Sequence, residues 1–308
     1  MAYALYRKKE MPSTMLDRLC LGTAQFGLNY GIANRHGKLT YNEISAIVKT
    51  AQEHGLRYFD TAQSYGDSEV QLGKAFREHA FSPRVISKIS PEFSCQGAAS
   101  VVATIKASCS RLGLASLHGF LLHRLEPLST DRAFLVGIAE AKAQGLLENF
   151  GVSVYTPEEA LTYLEHPAVD MLQVPCNIFD RRLLDQHFFT RAEQCEKQIF
   201  IRSIYLQGLI HLEEDELTAK GLARALPIMD LLKRFLGFYG LSKKTFAAHA
   251  LLEEFPQAIL IVGVDSLAQC LDNLAIFRAE RIPAETIAAW WGSLPAVAEN
   301  IVDCRKWH

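Results

Sequence analysis

The chain has 308 residues, 49% of them hydrophobic and 21% charged. That is enough apolar content to bury a large core and too much for a disordered chain. Lys and Arg total 32 against 34 Asp and Glu, a net charge of −2, so there is no electrostatic case for nucleic acid.

Short apolar runs that read as buried strands alternate with longer amphipathic stretches. Strands are expected at 19–23, 56–60, 84–88, 119–123, 149–153, 170–174, 199–203 and 258–263. Helices are expected at 39–54, 68–78, 98–112, 131–144, 156–165, 180–196, 268–277 and 285–301. Gly55, Gly113 and Gly145 follow three of them as C-terminal caps. The 156–165 stretch opens T-P-E-E, with a capping Thr156, a first-turn Pro157 and acids at the positive helix end. Strand–helix alternation repeated eight times predicts an α/β fold, a (β/α)8 TIM barrel forming a single domain over 1–308.

Two connections exceed the minimum. The loop after strand 1 holds Gly27, Gly31 and Gly37, and the segment 204–257 between strands 7 and 8 carries helix-like sequence at 217–236 and 243–254. Loops after barrel strands carry the chemistry, so both are expected to wall a site.

No apolar run approaches the roughly 18 residues of a membrane span. Charges interrupt MAYALYRKKE too early for an export signal, so a cytoplasmic location is expected. The seven cysteines are odd in number and form no C-x-x-C, which favours reduced thiols over a disulfide framework. The ten histidines form no H-E-x-x-H, so no protein-only zinc site is expected. The pattern specifies no oligomeric state.

Four ionisable residues fall at or just beyond the ends of successive strands: Asp60, Tyr65, Lys88 and His123. Each alone could be structural. Asp60 could cap the next segment, Lys88 could be a solvated strand end, and His123 could be a satisfied core histidine. Together they suggest a phenol acting as general acid. Tyrosine ionises near pH 10 and donates poorly at pH 7, but a nearby ammonium lowers that value. Lys88 is expected to do this, held by Asp60, while His123 orients a carbonyl oxygen. A phenol that protonates oxygen while hydride reaches carbon is a carbonyl reductase, and no side chain supplies hydride. In isolation, Lys88 also fits an aldolase-type Schiff-base amine.

The stretch G-L-R-Y-F-D-T-A-Q-S-Y-G-D-S-E-V-Q-L-G, from Gly55 to Gly73, resembles the signature of the aldo-keto reductase family. Further similarity lies in LGTAQFG at 21–27, ISK at 86–88, LLH at 121–123, GVS at 151–153, LQVPCN at 172–177, SIYLQGL at 203–209 and IVGVDSLAQCLDN at 261–273. LGTAQFGLNYGIAN and RSIYLQGL are most similar to bacterial members. The resemblance implies carbonyl reduction with a nicotinamide dinucleotide, NADPH first and NADH second, without metal or flavin, on a small-molecule aldehyde, ketone or sugar carbonyl. It implies an Asp60, Tyr65, Lys88 and His123 tetrad. Thr23 falls near the nicotinamide ribose, and Ser153 and Gln173 at the carboxamide. Ser203, Tyr205 and Gln207 fall in the pyrophosphate loop, and Asn273 at the adenine.

The chain departs from that pattern in places. Val154 stands where an Asn is usual. Arg202 stands where an aromatic ring stacks on nicotinamide. Gly263 and Gln269 stand where basic residues grip the 2′-phosphate, leaving Lys243, Lys244 or Arg278 to reach it from elsewhere. The substrate wall is expected to include Phe26, Asn29, Tyr30 and Phe179, and Trp290 and Trp291 are expected to pack. The alternative to an enzyme is a catalytically weak, reductase-like barrel serving as a dinucleotide-binding or regulatory subunit.

Overall fold

The computed structural model describes residues 14–123, 125 and 132–307. Eight parallel strands close into a barrel in sequence order. They are β1 Leu19–Gly22, β2 Tyr58–Asp60, β3 Arg84–Lys88, β4 Leu117–Leu122, β5 Leu147–Ser153, β6 Met171–Pro175, β7 Gln198–Arg202 and β8 Ile259–Gly263. The strands are buried over most of their length because helices cover their outer faces.

The barrel interior is filled by Cys20, Tyr58, Ile86, Leu121, Met171, Phe200, Ile259 and Ile261. Side chains on a strand alternate faces, so the residue two positions on points the same way. Two residues beyond Tyr58 is Asp60. The same step leads from Ile86 to Lys88, Leu121 to His123, Met171 to Gln173, Phe200 to Arg202, and Ile261 to Gly263. The apolar plug and the polar mouth above it are therefore two layers of one pattern.

Most helices form where their caps and spacing place them. Tyr41–Glu53 starts at a capping box between Thr40 and Glu43, and Pro157–Leu164 starts at one between Thr156 and Glu159. Of the expected helix 131–144, the described part runs Arg132–Ala143. Three stretches break where apolar spacing predicts continuity. The 180–196 stretch divides into Arg182–Asp185 and Phe188–Gln194, because His187 between them is left-handed at φ 52°. The 217–236 stretch divides at Gly221, φ 69°, into Glu214–Ala219 and Leu226–Tyr239. The 285–301 stretch stops at Ala284–Ser293 and resumes at Glu299–Val302, since Pro295 cannot continue a helix.

The helices between β7 and β8 share a second apolar cluster with the helices Ala284–Ser293 and Glu299–Val302, including Leu209, Leu232, Phe246, Trp290 and Trp307. Trp290 is fully buried and donates to the Ile178 carbonyl at 2.8 Å. Phe179 lies beside it, with ring centroids 6.2 Å apart. Phe179 is thus a core residue and not a pocket wall, and Phe26, 0% exposed, is another. Among the described residues, no helix is long and apolar enough to cross a membrane.

Arg18 closes the opposite end of the barrel. Its guanidinium is buried and donates to the carbonyls of Ala258, Leu252 and Phe255, which joins the end of helix Lys243–Glu254 to the start of β8. Burial, with Arg281 nearby, lowers its ionisation to about 10. Replacing it by methionine leaves buried carbonyls without donors, at about 1–3 kcal/mol per group. Arg18→Met is expected to cost about 3 kcal/mol of stability, read as a lower urea midpoint; an unchanged midpoint would refute this role.

Candidate functional site

The cluster at the mouth begins with Lys88. Its ammonium, with no solvent exposure, donates to both Asp60 carboxylate oxygens at 2.7 Å and to the Thr61 carbonyl at 2.9 Å. All three ammonium donors are thereby used. The Gln173 side-chain amide donates to the same carboxylate at 2.7 Å, and the Ser153 hydroxyl donates to Gln173 Oε1 at 3.3 Å. Ser153 and Gln173 are register partners across β5 and β6. A continuous chain therefore runs Lys88–Asp60–Gln173–Ser153, linking residues that sequence reasoning assigned to separate tasks.

Tyr65 sits in the turn after β2, with the Lys88 nitrogen 5.1 Å from its ring centroid. Its backbone is pinned by two glycines. A Cβ on Gly27 would lie 1.8 Å from the Tyr65 carbonyl oxygen, and one on Gly66 would lie 2.5 Å from the Gly27 oxygen. Only two bare backbones can approach this closely.

The phenol departs from the sequence expectation. Burial pushes Tyr65 above its usual ionisation range, and the Lys88 ammonium opposes that rise without reversing it. Desolvation works to lower Lys88 too, but Asp60 and Tyr65 outweigh it and hold the ammonium above its ordinary range. Burial, with the charges of Lys88 and Arg202, lowers His123 to about 3. His123 is therefore a neutral imidazole at pH 7, and its buried Nε2 has no hydrogen-bond partner.

Thr23 donates to the Asp60 carbonyl at 2.9 Å and lies 3.0 Å from the Ser68 hydroxyl. After β7 the chain makes a tight loop in which Ser203, Leu206 and Gln207 all have φ between 48° and 62°. Three non-glycine residues in the left-handed region cost energy and persist only because their surroundings hold them. This loop contacts the loop after β1, where the Ile32 amide donates to the Gln207 carbonyl at 3.1 Å.

One cavity of about 960 Å³ collects these groups. Asp60, Tyr65 and His123 line it, as do Thr23, Ser153, Gln173, Arg202, Ser203, Tyr205, Gln207, Gly263, Gln269 and Asn273. Lys88 lies beneath that surface. Tyr30 lines the cavity too, whereas Asn29 does not. Val154 is fully buried and offers its carbonyl to Arg202, so it does not replace the side chain usual at its position.

Lys243 and Lys244 line the cavity, from the start of helix Lys243–Glu254. Arg278 instead donates to the His54 carbonyl. Gln25, Tyr155 and Arg305 are lining residues that sequence reasoning missed. Only Tyr155 had a visible signal, lying two positions past Ser153 at a strand end.

Two unpartnered acceptors face the cavity near Gly263: Gln25 Oε1 and Asp265 Oδ1 are buried without partners. They suit a ligand that donates there, such as the hydroxyls or amino group of a nucleoside, and a Cβ on Gly263 would come within 2.9 Å of the Gln25 amide. The helix Leu267–Ile276, capped by Ser266, adds a positive N-terminus beside Gln269.

A closed eightfold parallel barrel with polar residues gathered at the C-terminal strand ends defines a (β/α)8 protein with one large cleft at its mouth. The model of the aldo/keto reductase family matches residues 18–293, and the chain belongs to that family. An aldo-keto reductase of Mycobacterium avium is 32% identical over 171 residues, covering 52% of this chain. The match spans 56% of that relative's length, little more than half. An uncharacterized oxidoreductase of Mycobacterium bovis is 27% identical over 92% of this chain and 79% of its own. Among solved structures, an aldo-keto reductase from Bacillus halodurans in its holo form shares the fold, with a TM-score of 0.72 at 18% identity over 95% of this chain and 98% of its own. The glycerol dehydrogenase from Gluconobacter oxydans also shares it, with a TM-score of 0.69 at 18% identity over 91% and 93%.

Proposed function

We propose that this chain is an NADPH-dependent oxidoreductase that reduces an aldehyde, ketone or sugar carbonyl on a small molecule, working in the cytoplasm as a single barrel domain. The observation that carries this reading is the buried Lys88–Asp60 pair beneath Tyr65, next to a neutral His123 whose Nε2 has no partner. Tyr65 is the proton donor to the carbonyl oxygen. A buried, still protonated phenol holds its proton in the resting state and releases it as charge grows on the oxygen. Lys88 stabilises the resulting phenolate, Asp60 holds the ammonium in place while its own charge opposes the phenolate, and His123 orients the carbonyl.

The dinucleotide, when bound, supplies hydride. Thr23, Ser153 and Gln173 would hold its nicotinamide end, and Ser203, Tyr205 and Gln207 its pyrophosphate. Gln269 and Asn273 would hold its adenosine end, beside Gly263. The test is a thermal-shift screen with NADPH, NADH, NADP+ and NAD+, followed by carbonyl turnover with the best binder. Tight binding without turnover would favour a regulatory subunit.

Cofactor choice follows from the charges near Gln269. Lys243 and Lys244 are the lining cations on that side, but Lys244 lies 3.5 Å from Asp272 and Lys243 lies 3.8 Å from Glu213. A 2′-phosphate would share them with those acids. NADPH is therefore expected to be favoured over NADH by less than about 100-fold, against the roughly 1.5–3 kcal/mol that each charged hydrogen bond supplies. Gln269→Arg is expected to raise the preference. Direct titration of both cofactors at fixed ionic strength decides this, and a wild-type preference above about 1,000-fold refutes it.

A further inference from the structure

The charges lining the cavity are matched in pairs, with one exception among the cations. Arg35 pairs with Glu216, Arg182 with Asp180, Arg305 with Asp303, Lys243 with Glu213 and Lys244 with Asp272. Asp60 is taken by Lys88; Asp265, in the turn after β8, is the lining acid without an ion-pair partner among the described residues, its Oδ1 unbonded and its backbone amide donating to the Gln269 side-chain oxygen. Among the described residues, Arg202 alone of the lining cations has no carboxylate within ion-pair distance.

Arg202 is nonetheless held in place. Its guanidinium donates to the Val154 carbonyl at 2.9 Å and to the Ser203 hydroxyl at 3.3 Å. It lies 4.5 Å from the centroid of the Tyr155 ring, and Arg305 lies 4.3 Å from the same centroid. The Tyr155 backbone amide donates to Glu159 at 2.7 Å, which ties the backbone carrying that ring to the start of its helix. A guanidinium carries five N–H donors, and these two bonds use two of them. Arg202 lines the same cavity as Tyr65 and His123, and its charge acts on both.

A fixed, unpaired guanidinium with donors to spare suits a carboxylate or phosphate, which it can grip with two parallel bonds.

We propose that the substrate is a carbonyl compound carrying a carboxylate or phosphate on the same small molecule, and that Arg202 binds this anion while Tyr65 and His123 take the carbonyl oxygen. The inference rests on the reductase reading above and names its substrate class. Arg202 is a specificity residue here and takes no part in proton transfer.

The test compares kcat/KM, at saturating NADPH, for two matched pairs: succinic semialdehyde against butanal, and glyceraldehyde 3-phosphate against glyceraldehyde. Wild type, Arg202→Lys and Arg202→Gln are assayed, with melting temperatures to confirm folding. The wild type is expected to prefer the anionic member of one pair by about 10-fold or more, the scale of a charge-assisted hydrogen bond. The pair that shows it separates carboxylate from phosphate. Arg202→Gln should bring the ratio close to one, mostly through KM, and Arg202→Lys should retain part of it. Because the readout is a ratio, a general effect on cofactor binding cancels.

Equal kcat/KM within both pairs overturns the proposal while leaving the reductase reading intact, as does an anionic preference that survives Arg202→Gln. Should no aldehyde be turned over, the reductase reading fails, and calorimetric titration with succinate and glycerol 3-phosphate decides the anion site alone. Binding weakened about 10-fold or more by Arg202→Gln supports it; no binding, or binding indifferent to the substitution, overturns it.

Discussion

Tyr65→Phe is expected to remove nearly all carbonyl reduction while leaving dinucleotide affinity almost unchanged. General acid catalysis is worth roughly 10²–10⁴-fold, and Tyr65 is the proposed donor to the carbonyl oxygen. The substitution deletes one hydroxyl and keeps the ring. The backbone contact between Gly27 and Gly66 that fixes residue 65 does not depend on that hydroxyl, so the loop after β1 stays in place. The check is kcat at saturating NADPH together with cofactor affinity by fluorescence titration. Retention of more than about half the wild-type kcat would remove Tyr65 from its role, even against the lower bound of that range.

Lys88→Met is expected to cost comparable activity, with a second signature in the pH profile. The ammonium favours phenolate, so its loss lets the phenol rise further, in the direction burial already drives it. A general acid works while protonated, so the basic limb of the residual pH–rate profile should move to higher pH. An unmoved limb would show that Lys88 does not tune Tyr65.

The same substitution leaves Asp60 as a buried charge facing only the Gln173 amide. Breaking a buried pair costs about 3–5 kcal/mol. Lys88 is held above its ordinary range, so the lysine's contribution is fully present at neutral pH and is lost as pH rises through its own value. Asp60→Asn combined with Lys88→Met should therefore recover stability without recovering activity. The Schiff-base role requires a neutral amine with a lone pair. An ammonium whose three donors are all engaged does not provide one, and no borohydride-trapped adduct is expected.

The strands could be read from the chain because each is a short apolar run, and because burial of both faces leaves little else for such a run to be. The positions of Asp60, Lys88 and His123 followed from the same runs, since each lies at or just past a strand end, whereas Gln173 and Arg202 came from the family resemblance. Their local frame is set by a two-residue period that needs no distant partner. The helix breaks at Gly221 and Pro295 were also written in the sequence, but apolar spacing continues across both and hides them. The break at His187 was not written there, because a left-handed histidine has no local signature.

The environment of each site residue was decided elsewhere. Phe26 and Phe179 read as pocket walls and turned into the core, since a loop aromatic faces whichever surface closes over it. Arg202 read as a replacement for a stacking ring, yet its partners are the carbonyl and ring of residues 154 and 155 on another strand end. The Tyr65 phenol was expected to fall under the influence of Lys88 and rises instead. The sign of that shift is a contest between desolvation and charge, and desolvation depends on how the whole mouth of the barrel packs. Gln173 reaches Asp60 across 113 residues of chain. Backbone preference acts over a few residues and was legible in order along the chain, whereas burial and electrostatic neighbourhood are set by closure of the barrel and exist only once it has folded.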